Sequence, residues 1–335
     1  MSIIVTGGAG FIGSNLIRGL NARGINDIWV VDNIGSTEKF KNLIGCKFKQ
    51  YLHKDRFRKL IRDGQFDSKV SVIFHQGACS NTMELDGNYM MENNYQYSVD
   101  LLDFAVQNKI SFIYASSAAV YGANTTFKEE SLNECPLNVY GYSKLLFDDL
   151  VRSRYNQPES QIVGLRYFNV YGPRESHKGR MASVSYHLCK QMFDGGKLTL
   201  FEGSGGYAAG EQRRDFIYVE DVVKVNLEFL DNPDWSGIFN CGTGRSQTFN
   251  EVAVATINSA RAVRDQRSLT LEEMLEQGIL NYREFPEGLE SRYQSFTEAQ
   301  LERLKAVGSE INFYDVESGV KAYVRHLSHT DFLKN

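Results

Sequence analysis

The apolar positions of this chain follow two rhythms. Short continuous apolar runs stand at Ile3–Thr6, Ile28–Asp32, Val70–His75, Ser111–Ala115 and Gln161–Arg166, and read as strands buried on both faces. Between them, Phe11–Arg23, Asp55–Asp63, Asn93–Asn108 and Tyr140–Tyr155 repeat apolar residues at the spacing of a helix with one buried stripe. That alternation predicts an α/β fold, a Rossmann-type doubly wound parallel sheet. After about Gly172 the rhythm breaks. Loops rich in glycine, arginine and tyrosine appear, including Gly203–Gln212. Short strands are expected at Leu198–Phe201 and Phe216–Tyr218, and helices near Asn250–Ala262 and Val316–Leu327. The pattern divides the chain into a doubly wound domain over 1–172, with returns from about 213–248, and a smaller mixed α/β lobe over 173–335. Asp221–Asn226 is one segment expected to return to the first domain. The stretch Ala262–Gly278 is charged and helical in pattern and carries no assignable chemistry.

Composition narrows the classes. The chain has 335 residues, enough for one large α/β unit with an appended lobe. Its net charge is -4 with both signs dispersed, which points to neither a nucleic-acid surface nor a polybasic membrane patch. No apolar run reaches the roughly 18 residues that span a bilayer. The first strand begins almost at once, so no signal peptide is expected. Five cysteines (Cys46, Cys79, Cys135, Cys189, Cys241) lie far apart without a Cys-x-x-Cys pair. That scatter argues against a disulfide framework or a metal site and fits the reducing cytoplasm.

Chemistry enters with Thr6-Gly7-Gly8-Ala9-Gly10-Phe11-Ile12-Gly13, between the first strand and the first helix. Glycines at 7, 10 and 13 allow a tight turn, close approach to a pyrophosphate and close helix–sheet packing, with phosphate at the helix N-terminus. Asp32 ends the second strand nineteen residues after Gly13, where a carboxylate reaches an adenosine ribose. A turn role in Asp32-Asn33-Ile34-Gly35 is the alternative. Asp32 alone favours NAD, since its charge repels a 2′-phosphate, but Lys39 and Lys54 are nearby cations able to receive one. NAD and NADP both stay open on these residues. His75-Gln76-Gly77-Ala78-Cys79-Ser80 closes a strand with small residues along which a dinucleotide can lie. Asn93, opening the next long helix, either orients loop or cofactor or caps the helix.

A second group lies further on. Tyr114-Ala115-Ser116-Ser117 leaves a buried strand at its carboxyl end, the edge where doubly wound folds hold ligands. Ser117 is favoured over Ser116 as the hydroxyl that holds a reacting oxygen; successive strand residues point to opposite faces. In Tyr140-Gly141-Tyr142-Ser143-Lys144, helical spacing puts Tyr140 and Lys144 on one face. An ammonium beside a phenol favours the phenolate, so Lys144 is expected to lower the Tyr140 pKa toward neutrality besides holding the nicotinamide ribose. A tyrosine so tuned exchanges a proton with a substrate hydroxyl while the dinucleotide takes or returns a hydride. Tyr142 is expected on another face.

The glycine turn, the Ser-Ser-Ala strand end and the Tyr-x-x-x-Lys pair together resemble the extended short-chain dehydrogenase/reductase family, which acts mostly on nucleotide sugars. More narrowly, His75–Ser80, Met90–Ser98, Pro136–Asp148, Arg166–Gly179, Met181–Val184 and Phe201–Ser204 resemble its heptose 6-epimerase branch. The resemblance runs from Ile3 to about Tyr323, with apparent insertions around Gly205–Gln212 and Ala262–Gly278. It implies inversion at C6″ of an ADP-linked D-glycero-D-manno-heptose, a step toward lipopolysaccharide core heptose, with tightly held NADP recycled in each turnover. It implies Tyr140 and Lys178 as an acid/base pair with Ser117 and Lys144 assisting, and adds Phe11, Ile12, Asn33, Val170 and Lys178 to the cofactor contacts. Substrate positions implied are Ser117, Asn169, His177, His187, Phe201, Glu202, Gly203, Ser204, Arg214 and Tyr293. A homo-oligomer, conceivably a pentamer, is implied too.

Some of these positions admit a plainer role. Lys178 can be a cofactor contact, Arg214 a salt-bridge partner of Asp215 or Glu220, and His187 a core histidine. Arg180 departs from the branch, standing where it has a small residue. Three rivals compete: a nucleotide-sugar 4-epimerase, disfavoured by Ser176-His177-Lys178; a 4,6-dehydratase, disfavoured by Ala118 and Ala119 where an Asp-Glu pair is needed; and a non-catalytic dinucleotide sensor, which has no use for Tyr140.

Overall fold

Each apolar run of the first half forms a strand of one parallel sheet. The structure, a computed structural model, describes residues 1–35, 38–66, 69–154, 159–285 and 294–329. In chain order these begin with β1 (Ile3–Thr6), α1 (Phe11–Ala22), β2 (Ile28–Asp32), β3 (Gln50–His53), α2 (Lys54–Arg62) and β4 (Val72–His75). A continuous helical stretch follows: α3 (Gly87–Met90), a π-helical turn (Met91–Gln96) and α4 (Tyr97–Gln107). Next come β5 (Ser111–Ser117), α5 (Val139–Arg154), β6 (Ile162–Tyr167), β7 (Asn169–Tyr171), α6 (Val184–Gly195), β8 (Leu198–Phe201), β9 (Arg213–Arg214) and β10 (Phe216–Tyr218). The last third adds α7 (Val219–Asp231), β11 (Gly237–Cys241), β12 (Gln247–Thr248), α8 (Phe249–Ala262), α9 (Leu271–Glu276), β13 (Leu280–Arg283), α10 (Glu302–Ala306) and α11 (Val316–His329).

The chain divides into two compact units. The first comprises Met1–Tyr167, Val222–Cys241 and Gln300–Ile311. Its sheet runs β3-β2-β1-β4-β5-β6-β11, every pairing parallel. The chain winds outward from β1 to β3, then restarts on the other side of β1 with β4. That reversal opens a crevice at the carboxyl ends of β1 and β4. Ile4, Val31, Ile73 and Phe112 of the sheet pack with Leu101, Leu102 and Ala105 of α4 and Phe147 and Val151 of α5. Each buried valine, leucine, isoleucine or phenylalanine among them contributes about 1.5–3 kcal/mol.

Two of the seven strands were not expected from the apolar pattern. β3 lies at the sheet edge, and its Gln50 and His53 face solvent, so it lacks a continuous apolar run. β11 pairs with β6, far away in sequence. The helix around Asn93 also differs from expectation. It starts at Gly87, where the Asp86 carboxylate accepts the Tyr89 N–H at 2.9 Å. Asn93 lies inside it, in the π-helical turn, and does not cap it.

The second unit comprises Phe168–Asp221, Gly242–Ala299 and Asn312–Asn335. Three small two-stranded pairings, β7 with β10, β8 with β13 and β9 with β12, surround a core shared by α6, α8 and α11. Leu188, Met192, Val252, Ile257, Val320 and Tyr323 fill that core. α8 starts with a capping box, Thr248 with Glu251, that satisfies two end amides reciprocally. The stretch expected to be helical from Ala262 to Gly278 is helical only at Leu271–Glu276. α8 ends at Ala262, and Asp265, with φ 55°, breaks the path. Among the described residues no helix is long and apolar enough to cross a membrane.

Candidate active site

In the first unit the glycine turn is built by close backbone approach. Gly7 has φ 63°, and a Cβ there would stand 2.6 Å from the Gly77 nitrogen. A Cβ on Gly13 would meet the Gly7 carbonyl oxygen at 2.2 Å. Only glycine lets β1, the start of α1 and the loop after β4 meet this closely. Gly10 is the N-cap of α1 without a side-chain cap, and the first turn of α1, from Phe11 to Gly13, opens at the glycine turn.

Asp32 organises the adjoining corner. One carboxylate oxygen accepts the Ala9 N–H at 2.8 Å; the other accepts the Asn33 N–H at 2.6 Å and pairs with the Lys39 ammonium. The Asn42 amide closes the turn on the Ala9 carbonyl at 3.0 Å. Lys54, the first residue of α2, donates to the Asn93 side chain.

The loop after β4 is pinned from three sides. Gln76 joins a triangle with the Tyr167 hydroxyl at 3.0 Å and Asn226 at 3.2 Å. Gly77 donates its N–H to the Thr6 hydroxyl at 3.2 Å, and Thr6 meets His75 Nδ1 at 2.6 Å. His75 Nε2 lies 2.8 Å from the Ser98 hydroxyl, which itself donates to the Asn94 carbonyl. These partners assign the neutral tautomer with its proton on Nε2. Burial, and then the Lys144 charge, push the imidazole pKa down to about 3. Ala78 and Cys79 follow half-buried, and Ser80 is exposed.

One residue here escaped sequence reasoning. Asn94 accepts the Cys79 N–H at 2.8 Å and donates to the Cys79 carbonyl at 3.0 Å and the Ser143 hydroxyl at 3.2 Å. It therefore joins the loop to α5, while its neighbour Asn93 turns to Lys54. The π-helical turn holding both is a local distortion of a kind concentrated at functional sites. The pair Asn93-Asn94 was the only available signal, and it does not say which asparagine faces the loop.

At the end of β5 the two serines part. Ser116 turns inward and donates to Asp148 at 2.9 Å. The Ser117 hydroxyl accepts the Ala119 N–H at 3.2 Å and stands beside the Tyr140 phenol, where it favours the phenolate. One turn along α5 from Tyr140, the Lys144 ammonium donates to the Ala115 carbonyl at 2.7 Å. Ser117, Tyr140 and Lys144 thus converge where β5 meets α5. Tyr142 faces solvent.

The expected electrostatics need correcting. The Tyr140 pKa is raised, not lowered: burial outweighs the neighbouring Ser117 hydroxyl, which favours the phenolate. The Lys144 pKa falls to about 8, because burial penalises its charge more than nearby Asp148 supports it.

The second unit carries the remaining candidates. Asn169 begins β7 and accepts the Thr297 hydroxyl at 3.2 Å; Val170 follows it in the strand. The Ser176–Met181 stretch, two 3₁₀ turns broken at Gly179 (φ 55°), holds His177 and Lys178, both half-buried, and the exposed Arg180. Glu175 fastens the ends of this loop. Its carboxylate accepts the Gly172 N–H at 3.0 Å and, from across the loop, the Ser183 N–H at 2.5 Å and hydroxyl at 2.8 Å. Burial lowers the Lys178 pKa, with Glu175 opposing.

His187 is half-exposed on α6, not a core histidine, with its ring edge-on to Tyr186. Phe201 stacks on Phe285 at 4.6 Å under the Arg283 guanidinium. Glu202 and Ser204 are tied to Gln212, through the Glu202 carbonyl at 2.9 Å and the Ser204 hydroxyl at 3.2 Å. Gly203 lies exposed between them. Arg214 is buried over the Phe249 ring and donates to the Arg213 carbonyl at 3.2 Å. Neighbouring Asp215 is taken up by Thr243, Gly244 and Ala299. Tyr293 lies outside the described residues.

A parallel sheet reversing at a glycine turn, with a serine at a strand end facing a tyrosine and a lysine one turn apart on the next helix, defines a dinucleotide-dependent enzyme of the short-chain type. The sequence profile of the NAD dependent epimerase/dehydratase family matches residues 3–242, and the chain belongs to that family, whose cofactor is a nicotinamide dinucleotide. Within it, the chain is 54% identical over 324 residues to the ADP-L-glycero-D-manno-heptose-6-epimerase of Thiobacillus denitrificans (strain ATCC 25259 / T1), covering 97% of this chain and 98% of the relative. Among solved structures, the Helicobacter pylori ADP-L-glycero-D-manno-heptose-6-epimerase is similar at a TM-score of 0.78 and 33% identity, over 98% of this chain and 96% of that one. The Thermus thermophilus UDP-glucose 4-epimerase, in complex with NAD, is similar at 0.74 and 25% identity, over 98% and 99%.

Proposed function

We propose that this protein inverts C6″ of ADP-D-glycero-β-D-manno-heptose, giving the L-glycero isomer through a transient 6″-keto sugar. The observation that carries the chemistry is the convergence of Ser117 at the end of β5 with Tyr140 and Lys144 one turn apart on α5, Lys144 reaching the Ala115 carbonyl two residues before Ser117. The choice of sugar follows from the names of the relatives at 54% and 33% identity. The glycine turn fits a dinucleotide, since a Cβ on Gly7 or Gly13 would fill the cradle and the first turn of α1 opens at it. A nicotinamide dinucleotide held there would supply reversible hydride exchange at C6″, with no net redox change over a turnover.

Tyr140 takes the proton of the C6″ hydroxyl, Ser117 holds the oxygen, and the Lys144 charge favours the phenolate when the proton moves. Inversion requires the flat ketone to turn over, which carries its oxygen away from Tyr140. Lys178 is the second proton carrier in this reading; its burial-lowered pKa suits an amine that must accept as well as give a proton. Asn169, His177, His187, Phe201–Ser204, Arg214 and Tyr293 bind the sugar nucleotide. Purified protein given candidate sugar nucleotides should invert C6″ by NMR. Inversion at C4″, or loss of water, would replace this reading by one of its rivals.

NADP is the cofactor in this reading. Lys39 sits on the Asp32 carboxylate, so a 2′-phosphate arriving at this corner meets an ammonium and not a bare carboxylate. The paired replacement Lys39→Ala, Lys54→Ala should weaken NADP binding at least about tenfold, the loss expected for charge-assisted phosphate contacts, and spare NAD. Calorimetric titration with both dinucleotides checks this. Equal losses for the two would remove the 2′-phosphate role.

A further inference from the structure

One turn beyond Lys144 on α5, Asp148 is sealed from solvent. One of its oxygens accepts the Tyr114 hydroxyl at 2.9 Å. The other accepts the Ser116 hydroxyl at 2.9 Å and the Arg166 guanidinium at 2.9 Å. Arg166, also fully buried, reaches on to Glu134 at 2.6 Å and lies over the Tyr121 ring. Arg152 closes the set by pairing with Glu134 at 2.5 Å and 2.7 Å. Residues of β5, β6 and α5 are thus joined through one carboxylate, and the strand end it grips is the one that presents Ser117.

Buried ions are costly, and apolar residues of similar volume often stabilise a fold at least as well. Stability alone therefore gives no reason for a charge at 148. Position does. Ser116 fixes the backbone one residue before Ser117, and Asp148 lies at i+4 from Lys144 on the buried side of the helix.

We propose that Asp148 is a positioning residue for the reacting pair: through Ser116 it sets the strand end that presents Ser117, and from the next turn of α5 it sustains the charge of Lys144. This rests on the reading of Tyr140 and Lys144 given above. The groups facing Lys144 are few. β4 offers His75, held neutral by burial. β5 offers the Ala115 carbonyl, and α5 itself offers Tyr140 and Asp148. Among the described residues Asp148 is the one carboxylate whose charge supports Lys144. The Lys144 pKa already lies near about 8 with that support. Without it the ammonium loses its proton at lower pH, and activity that needs the charge falls off earlier as pH rises.

The test reads Lys144 directly. Protein carrying ¹³Cε-lysine is titrated by NMR without substrate, with the Lys144 signal assigned by its loss in Lys144→Met. In Asp148→Asn the midpoint should fall by about one pH unit or more. In turnover, kcat should drop about tenfold or more with KM changed less than about threefold. The double variant Asp148→Asn, Arg166→Met removes both buried charges and should regain thermal stability while the midpoint and kcat stay low. An unshifted midpoint in Asp148→Asn, or a double variant with native kcat, would show Asp148 to be scaffolding only and overturn the proposal. A wild type that leaves C6″ untouched removes the reaction assignment, and the NMR titration still decides the role of Asp148.

Discussion

Tyr140→Phe is expected to lower turnover by about 10²–10⁴-fold, the usual worth of general acid–base catalysis, with fold and dinucleotide binding retained. The substitution removes one oxygen and keeps the ring, so the packing of α5 against the end of β5 stays. What disappears is the phenol hydroxyl beside Ser117. The phenol pKa stands above its ordinary value because burial disfavours the anion. In the proposed reaction Tyr140 first loses its own proton to solvent, the Lys144 charge favouring the phenolate, and then takes the proton of the C6″ hydroxyl. Ser117 can still hold the substrate oxygen in the variant, but nothing at that position takes the proton. Steady-state kcat together with a dinucleotide binding isotherm makes the comparison. Near-native turnover with intact binding would take Tyr140 out of the mechanism.

The second large effect belongs to Lys178. Lys178→Met should suppress epimerisation by about 10²–10³-fold, because return of the hydride to the opposite face needs proton exchange on the far side of the sugar. Half of the chemistry should survive. Given an analogue that already carries an aldehyde at C6″, the variant should still oxidise one molecule while reducing another, since this dismutation does not demand both faces. Glu175 ties Gly172 to Ser183, which closes the loop that carries Lys178 at both ends. Epimerisation at the native rate would end the two-base reading. Loss of dinucleotide binding would make Lys178 a cofactor contact and leave Tyr140 alone.

What could be read from the sequence was local or periodic. β1, β2, β4, β5 and β6 are buried on both faces and therefore appear as unbroken apolar runs. The glycine spacing was legible because the constraint is steric and acts within a few residues. Ser117 could be favoured over Ser116 only by alternation, and the hydrogen bonds of the two serines now show which way each turns. Other features depend on partners far along the chain. Asp148 stands beside Asp149 in a helix that reads as an ordinary charged face, and nothing local says that Arg166 pairs with it. Asn94 is separated from Asn93 by one helical step, and the π-helical turn decides which of them meets the Cys79 loop. The Tyr140 pKa went astray because spacing reveals a neighbouring ammonium but not how much water is excluded, and exclusion dominates.

The place of β11 in the first sheet bears on how the chain is made. β6 is an apolar strand whose outer edge is covered by β11, and Gln300–Ile311 joins the same unit later still. During synthesis, at about 5–20 residues per second, that edge emerges on the order of ten seconds before its cover. An uncovered edge of this kind is a template for pairing with another chain. Nascent or truncated chains ending between Tyr167 and Gly237 are therefore the forms in which self-association is to be expected, and holdase chaperones have their clearest target on the outer edge of β6.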